Sequence, residues 1–169
     1  MDILFENHVT LTKEVFIEMC TVSNKKARLF FLVVAIIYFL LPIIFTMLFG
    51  FDIGLFVLCA AFGIVFLIFC HQTPKVTGSK AYKQQLVINN HEPLVKTTSV
   101  FDNHMEYYSK NGSRLTIYYD RITSIRKTAH LMVVIYEKEI TFPIDMSGFT
   151  KGTPEAFEAF LLEKGVKVK

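Results

Sequence analysis

A chain of 169 residues that is 52% hydrophobic, with 17 Phe and no Trp, is greasier than an average soluble domain. Its length suits one ordinary domain, or a small domain with an appendage. A net charge of +3 is too small to argue for nucleic-acid binding. Three cysteines (Cys20, Cys59, Cys70) without CxxC spacing exclude a disulfide framework and a zinc site, and read as small apolar side chains.

Residues 3–10 read as extended. Thr12 then suits a helix N-cap, with Glu14 in the first turn. Val15, Phe16, Met19 and Cys20 form a helical stripe that runs toward the next segment. Such a stripe packs against the C-terminal domain or lies on a membrane surface.

Leu29 to Phe49 (LFFLVVAIIYFLLPIIFTMLF) contains no charge. As a helix it is roughly 31 Å long, about the thickness of a bilayer's hydrocarbon core. Ile53 to Cys70 (IGLFVLCAAFGIVFLIFC) is also uncharged and about 27 Å long as a helix. Neither has a polar face, and the chain is too small to cover two such helices itself, so both are expected to span a membrane. Between them, Gly50-Phe51-Asp52 forms the hairpin turn. Asp52 is the only charged residue between Arg28 and Lys75, and at the water interface its carboxylate needs no partner. An intramembrane ion site would place the carboxylate at mid-depth, not at the end of both spans. Pro42 removes a backbone hydrogen bond from the first span and is expected to kink it. Cys59, Ala60 and Gly63 offer a small-residue patch, either for the first span or for a second copy.

Lys25, Lys26 and Arg28 precede the first span, Lys75, Lys80 and Lys83 follow the second, and the turn has no base. The positive-inside rule places both termini in the cytoplasm. The acidic start MDILFEN and the long first apolar run argue against a secretory signal. The same six cations are the candidate contacts with anionic headgroups. Lys75, Lys80 and Lys83 would lie on the link between membrane and sheet, where they are expected to touch anionic headgroups; an orientation signal on a solvated linker is the plainer alternative, and the two are compatible.

From Gln85 the hydrophobic period becomes two. LVIN (86–89), KTTSVF (96–101), HMEYYSK (104–110) and SRLTIYY (113–119) read as strands, with Asn111-Gly112 as a type I′ turn. The Asn-Gly-Ser at this turn is also a glycosylation sequon, a reading that fails in the cytoplasm. DRITSIRK (120–127) suits a bulged or short strand. LMVVIY (131–136) and EITFPI (139–144) form a further hairpin across Glu137-Lys138. A last helix follows: Thr153 caps it, Pro154 takes the first position, Glu155 sits at the positive dipole end, and Gly165 stops it. Phe157, Phe160 and Leu161 face a core.

The expected fold class is therefore an α+β membrane protein. A two-helix transmembrane hairpin precedes a small antiparallel sheet or barrel, closed by a C-terminal helix in the order of a pleckstrin-homology-like (PH-like) fold. The expected division is an N-terminal strand and amphipathic helix (1–28), the hairpin (29–71) and a cytoplasmic domain (80–169).

Two stretches carry a family resemblance. LTKEVFIEMC with the following SNKKAR, and TIYYDRITSIRKTAHLMVVIYEKEITFPIDMSGFTKGTPEAFEAFLL, resemble YcxB-like membrane proteins. The matching features are Tyr119-Asp120, Ile122, Phe142-Pro143, Phe149, and Glu155 with Phe157. Val15-Phe16 departs from the pattern, where an acidic–aromatic pair is expected. The resemblance implies a two-span bacterial membrane protein with a cytoplasmic PH-like domain, and implies no particular activity.

No phosphate loop, HExxH, GxSxG or calcium-loop motif is present. His8, His71, His91, His104 and His130 are scattered, and no nucleophile has an evident base. Asp102 and Glu106 flank His104 on what reads as a solvated face. No catalytic residue, metal ligand, cofactor or small-molecule substrate is expected. Of Tyr107, Tyr108, Tyr118 and Tyr119, one of each couple should face outward. The outward pair, Tyr108 and Tyr118, could form a recognition surface, or simply stabilise a hairpin through cross-strand contacts.

The leading functional expectation is a membrane-anchored, non-catalytic interaction module. It would engage the lipid bilayer and either a protein partner or copies of itself, with no nucleic acid. Self-protection against a toxin is compatible with size and topology, although no residue demands it. A transporter subunit would need mid-depth polar residues beyond Tyr38 and Thr46.

Overall fold

The computed structural model describes residues 2–109, 112–137 and 140–169. The turns expected at Asn111-Gly112 and Glu137-Lys138 each include a residue (Asn111, Lys138) outside the described ones. The chain runs β1 (Phe5–Thr10), α1 (Lys13–Ser23), α2 (Lys25–Phe49), α3 (Ile53–Ile88), β2 (Val95–Val100), β3 (His104–Ser109) and β4 (Arg114–Tyr118). After a 3₁₀ turn over Tyr119–Arg121 come β5 (Ile122–Lys127), β6 (Leu131–Tyr136), β7 (Ile140–Asp145), β8 (Phe149–Lys151) and α4 (Pro154–Glu163).

The strands form two antiparallel sheets. Sheet A has the order β4-β3-β2-β1-β8, and sheet B the order β5-β6-β7. Alternation explains sheet A: Met105, Tyr107 and Ser109 point inward while His104, Glu106 and Tyr108 point outward. The shared core joins Val100, Met105 and Ile117 of sheet A to Ile125, Met132, Val134, Phe142 and Ile144 of sheet B. Phe157 and Leu161 of α4 close it, both fully buried. Thr153 caps α4 by accepting from the Ala156 amide at 3.2 Å.

Sheet B departs from alternation for a physical reason. Its second face is covered too, because α1 packs on β6 and β7. Leu131 and Val133 are as buried as Met132 and Val134 on the opposite face, so the strand reads as one apolar run. The bulge expected in 120–127 is present between Ile122 and Ser124.

The N-terminal strand belongs to the sheet domain. β1 lies between β2 and β8, and pairs with β2 over all six residues from Phe5↔Val100 to Thr10↔Val95. Asn7 is buried, and its side chain works as a piece of strand. Its amide donates to the Asp145 carbonyl at 2.7 Å, and its oxygen accepts from the Asp145 N–H at 3.2 Å. The two sheets are thereby stitched through one side chain, which satisfies the polar group it buries.

Helices α2 and α3 form the apolar hairpin. Both are long and apolar enough to cross a membrane, and only 11% of each hydrophobic window is buried. Asp52 is exposed and caps α3 by accepting from the Leu55 amide at 3.1 Å. Gly50, at φ 95°, makes the turn. Of the two uses open to the small-residue patch, packing on the first span is the one seen. Cys59 is buried, and a Cβ on Gly63 would lie 2.8 Å from the Phe39 ring.

One expected element is corrected. LVIN at 86–89 is not a strand: α3 continues 36 residues from Ile53 to Ile88, through Pro74, and Asn89 caps it. Lys75, Lys80 and Lys83 therefore sit on a helix rather than on a linker, and the expected boundary at residue 80 falls inside α3. The continuation is held by α1. Gly78 lies against the Ile17 backbone, and the Phe16 and Tyr82 rings are 6.1 Å apart.

Candidate functional site

The α1–α2 junction sits over the outer face of sheet B. Ser23 ends α1, Asn24 is the single connecting residue, and Lys25 begins α2 without a side-chain cap. Lys25 and Lys26 thus project at the base of the apolar hairpin. Across from them, β5 supplies Arg126, β6 Ile135 and β7 Thr141. Together these residues enclose a cleft of about 410 Å³ with Val22 and Leu29.

A second hollow of about 390 Å³ shares Val22, Lys25 and Arg126 with the first and adds Lys127 and Lys169. Lys169 reaches it because the C-terminal tail pairs along β5. The Ile125 amide donates to Lys167, the Lys169 amide to Ile125, and the Lys127 amide to Lys169, at 2.8–2.9 Å. Lys127 is neutralised by Glu158. No ion pair involves Lys25, Lys26 or Arg126 among the described residues. The Arg126 Nε is buried without a hydrogen-bond partner.

The six cations singled out from the sequence do not gather at one place. Lys25 and Lys26 line the cleft. Arg28 does not line it; its Nε is buried and unpartnered, and its carbonyl accepts from the Cys70 Sγ at 3.4 Å. Lys75, Lys80 and Lys83 line a separate open groove along α3 with Val76 and Ser79. Arg126, Lys127 and Lys169 were not among the candidates. A charge in ITSIRK, two residues after Ser124 on the same strand face, was the available signal for Arg126.

The tyrosines split between two faces. The Tyr107 ring lies tilted against that of Phe142 with centroids 5.0 Å apart, and burial pushes its hydroxyl's pKa up. Tyr119 is buried and donates to the Phe101 carbonyl at 2.6 Å; burial and then the Asp102 charge raise its pKa. Tyr108 and Tyr118 lie on the outer face of sheet A, at opposite ends of the β3–β4 pair: Tyr108 faces Arg114 and Tyr118 faces His104. Arg114 lies 5.6 Å above the Tyr108 ring and Arg121 6.0 Å above that of Tyr118, which is 48% exposed. They share a face without forming one contiguous aromatic patch. No group of three His, Cys, Asp or Glu side chains that could hold a metal ion occurs among the described residues.

Glu18 fastens α1 to the β5–β6 turn. It accepts from the His130 backbone N–H at 2.8 Å and lies 3.3 Å from the His130 Nδ1. Burial alone would raise its pKa. Hydrogen bonds from Thr128 and His130, with the His130 charge, outweigh that and hold it below the ordinary glutamate value of 4.5. A carboxylate whose folded pKa is depressed stabilises the fold fully above 4.5, and this contribution is lost as pH falls through the folded value. Glu18→Gln should cost about 1 kcal/mol at pH 7, a modest figure because the His130 side is largely solvent-screened. Thermal unfolding in detergent at pH 7 and pH 3.5 checks this: the wild-type advantage should shrink at the lower pH. An advantage independent of pH would show that the carboxylate charge plays no part.

No family model, curated protein or solved structure matches this chain.

Proposed function

We propose that the chain is a membrane-anchored, non-catalytic interaction module. The α2–α3 hairpin crosses the cell membrane twice, both termini lie in the cytoplasm, and the two-sheet domain is presented at the inner face. There it engages a protein partner or anionic headgroups. The observation that carries this reading is the sharp division of the hairpin's surface. Uncovered apolar side chains such as Phe30, Ile44 and Val57 give way to Lys25 and Lys26 at the start of α2, and to Lys75, Lys80 and Lys83 spread along α3 beyond its apolar run. Water would penalise the first surface, and an anionic inner leaflet would attract the second.

Two antiparallel sheets closed by a C-terminal helix support a PH-like description of the domain, and the motif resemblance to YcxB-like proteins points the same way. The clamp of α1 between α3 and sheet B favours a rigidly held domain rather than a tethered one.

Photoreactive p-benzoylphenylalanine placed at position 118 on sheet A, 162 on α4 or 83 on α3 tests the function in intact cells. A discrete protein or lipid adduct from at least one position is expected. Irradiation that yields no discrete adduct from any of the three would overturn the interaction-module reading.

A further inference from the structure

We propose that the cleft between the start of α2 and the outer face of sheet B binds the phosphate of an anionic phospholipid, with Arg126 as its central donor. This rests on the reading that α2 crosses the membrane. Three independent features of the cleft converge on that ligand.

The first is an unmet donor. The buried Nε–H of Arg126 has no acceptor. Buried donors in folded proteins are nearly always paired, so the unpaired Nε–H marks a guanidinium whose charge no protein acceptor takes up on its covered side, beside a cleft that Arg126 itself lines. A guanidinium is also the side chain best shaped to grip two phosphate oxygens at once.

The second is uncompensated charge. Lys25 and Lys26 face Arg126 across the cleft, and no carboxylate pairs with any of the three among the described residues. The adjoining hollow adds Lys127 and Lys169, of which Lys127 already has Glu158.

The third is amphiphilic lining at a fixed depth. Val22, Leu29 and Ile135 form the apolar part of the wall. Leu29 is also the first residue of the uncharged span. If α2 spans, this cleft sits at the level of the lipid phosphates, with its apolar side continuous with the acyl region. A free phosphate ion would have no use for the apolar wall, whereas a phospholipid uses both. A volume of about 410 Å³ falls within the range of about 300–1,000 Å³ common for small-ligand clefts.

The test uses full-length protein in a non-ionic detergent. Calorimetric titration compares dihexanoyl phosphatidylglycerol, dihexanoyl phosphatidylcholine and inorganic phosphate. Saturable one-to-one binding of the phosphatidylglycerol is expected, with no saturable binding of the phosphatidylcholine. Arg126→Gln should weaken it about tenfold, the scale of losing a charge-assisted donor group. Arg126→Lys should fall in between, since it keeps charge and loses the fork. Lys26→Gln provides a second variant away from the sheet, expected to weaken binding severalfold. The triple change Lys75→Gln, Lys80→Gln, Lys83→Gln should leave affinity within twofold, since those residues lie in another groove.

Equal affinity of wild type and Arg126→Gln, with matched unfolding midpoints, would overturn the proposal. So would inorganic phosphate binding as tightly as the lipid, which would mark a free-anion site. Alkaline carbonate extraction of native membranes separates this failure from that of the parent reading. A chain released by carbonate loses the membrane anchor altogether. A chain that stays embedded while Arg126→Gln binds normally loses only the cleft.

Discussion

Residues 80–169 produced alone should give no cooperative thermal transition, although they contain every β-strand except β1. Removing β1 takes an interior strand from sheet A: β2 loses a six-residue partner, and β8 loses the strand it pairs with among the described residues. Their N–H and C=O groups would face a half-formed core, where unpaired backbone is costly. The Asn7 bridge to Asp145 goes with it, as does Phe5, whose ring packs 5.6 Å from Phe157 and 5.5 Å from Phe160. Buried Val9 adds a further loss. The remedy is short. The Leu11 amide donates to the Leu94 carbonyl at 2.9 Å, so the two strand ends already meet. Residues 2–11 joined to 94–169 through Asn-Gly should restore a hairpin there and with it a cooperative, β-rich domain. Leu131→Thr and Val133→Thr belong in that chimera, because α1 no longer covers them. Circular dichroism with thermal melting decides the matter. A fragment 80–169 that melts cooperatively without β1 would show the sheet domain to be self-sufficient.

That strand marks the limit of what periodicity discloses. The extended character of 3–10 is legible as a short stretch ahead of the Thr12 cap, although its apolar and polar residues come in blocks (ILF, then ENH) and do not alternate. Its partner is not, because 84 residues of hairpin and helix separate Thr10 from Val95 and nothing local records a long-range pairing. The apolar hairpin, the Asp52 turn, the Thr12 and Thr153 caps and most strands from β2 to β7 are legible for the opposite reason: each depends on neighbours within a few residues. The short β8 carries too few residues for a pattern and exists through its pairing with β1. The cleft is legible only by halves. Lys25 and Lys26 stand out as charges beside a span. Arg126 becomes notable only once sheet B is seen to turn its outer face toward them.

The misread stretch 86–89 teaches a related point. Pro74 and Thr77-Gly78-Ser79 resemble chain breakers, and LVIN has strand-like residues. Yet Gly78 is there because another helix comes close, not because the helix ends. Tertiary packing overrides local preference when the glycine's missing side chain is what lets two backbones meet.

Gly78→Ala should therefore destabilise the protein, even though alanine is the better helix former. Propensity favours the substitution by up to about 1 kcal/mol. Against it, a Cβ at 78 would lie 2.6 Å from the Ile17 Cα and 2.7 Å from the Ile17 N. Those are backbone atoms, so relief requires moving α1 bodily away from α3. Overpacking of this kind costs typically 1–3 kcal/mol, and here the displaced helix also carries Phe16 from Tyr82 and Glu18 from His130. The expected net loss is about 1–2 kcal/mol, and Gly78→Leu should exceed it. Gly63→Ala supplies the contrast. There the obstacle is the Phe39 ring at 2.8 Å, a side chain on the uncovered hairpin that can rotate aside. Its loss should be smaller than that at 78, although both glycines lie within one helix. Thermal unfolding of the three full-length variants in a single detergent ranks them. If Gly78→Ala melts at or above the wild type, α1 is not pinned to α3 at that point, and the rigid seating of the sheet domain on the hairpin loses its main support.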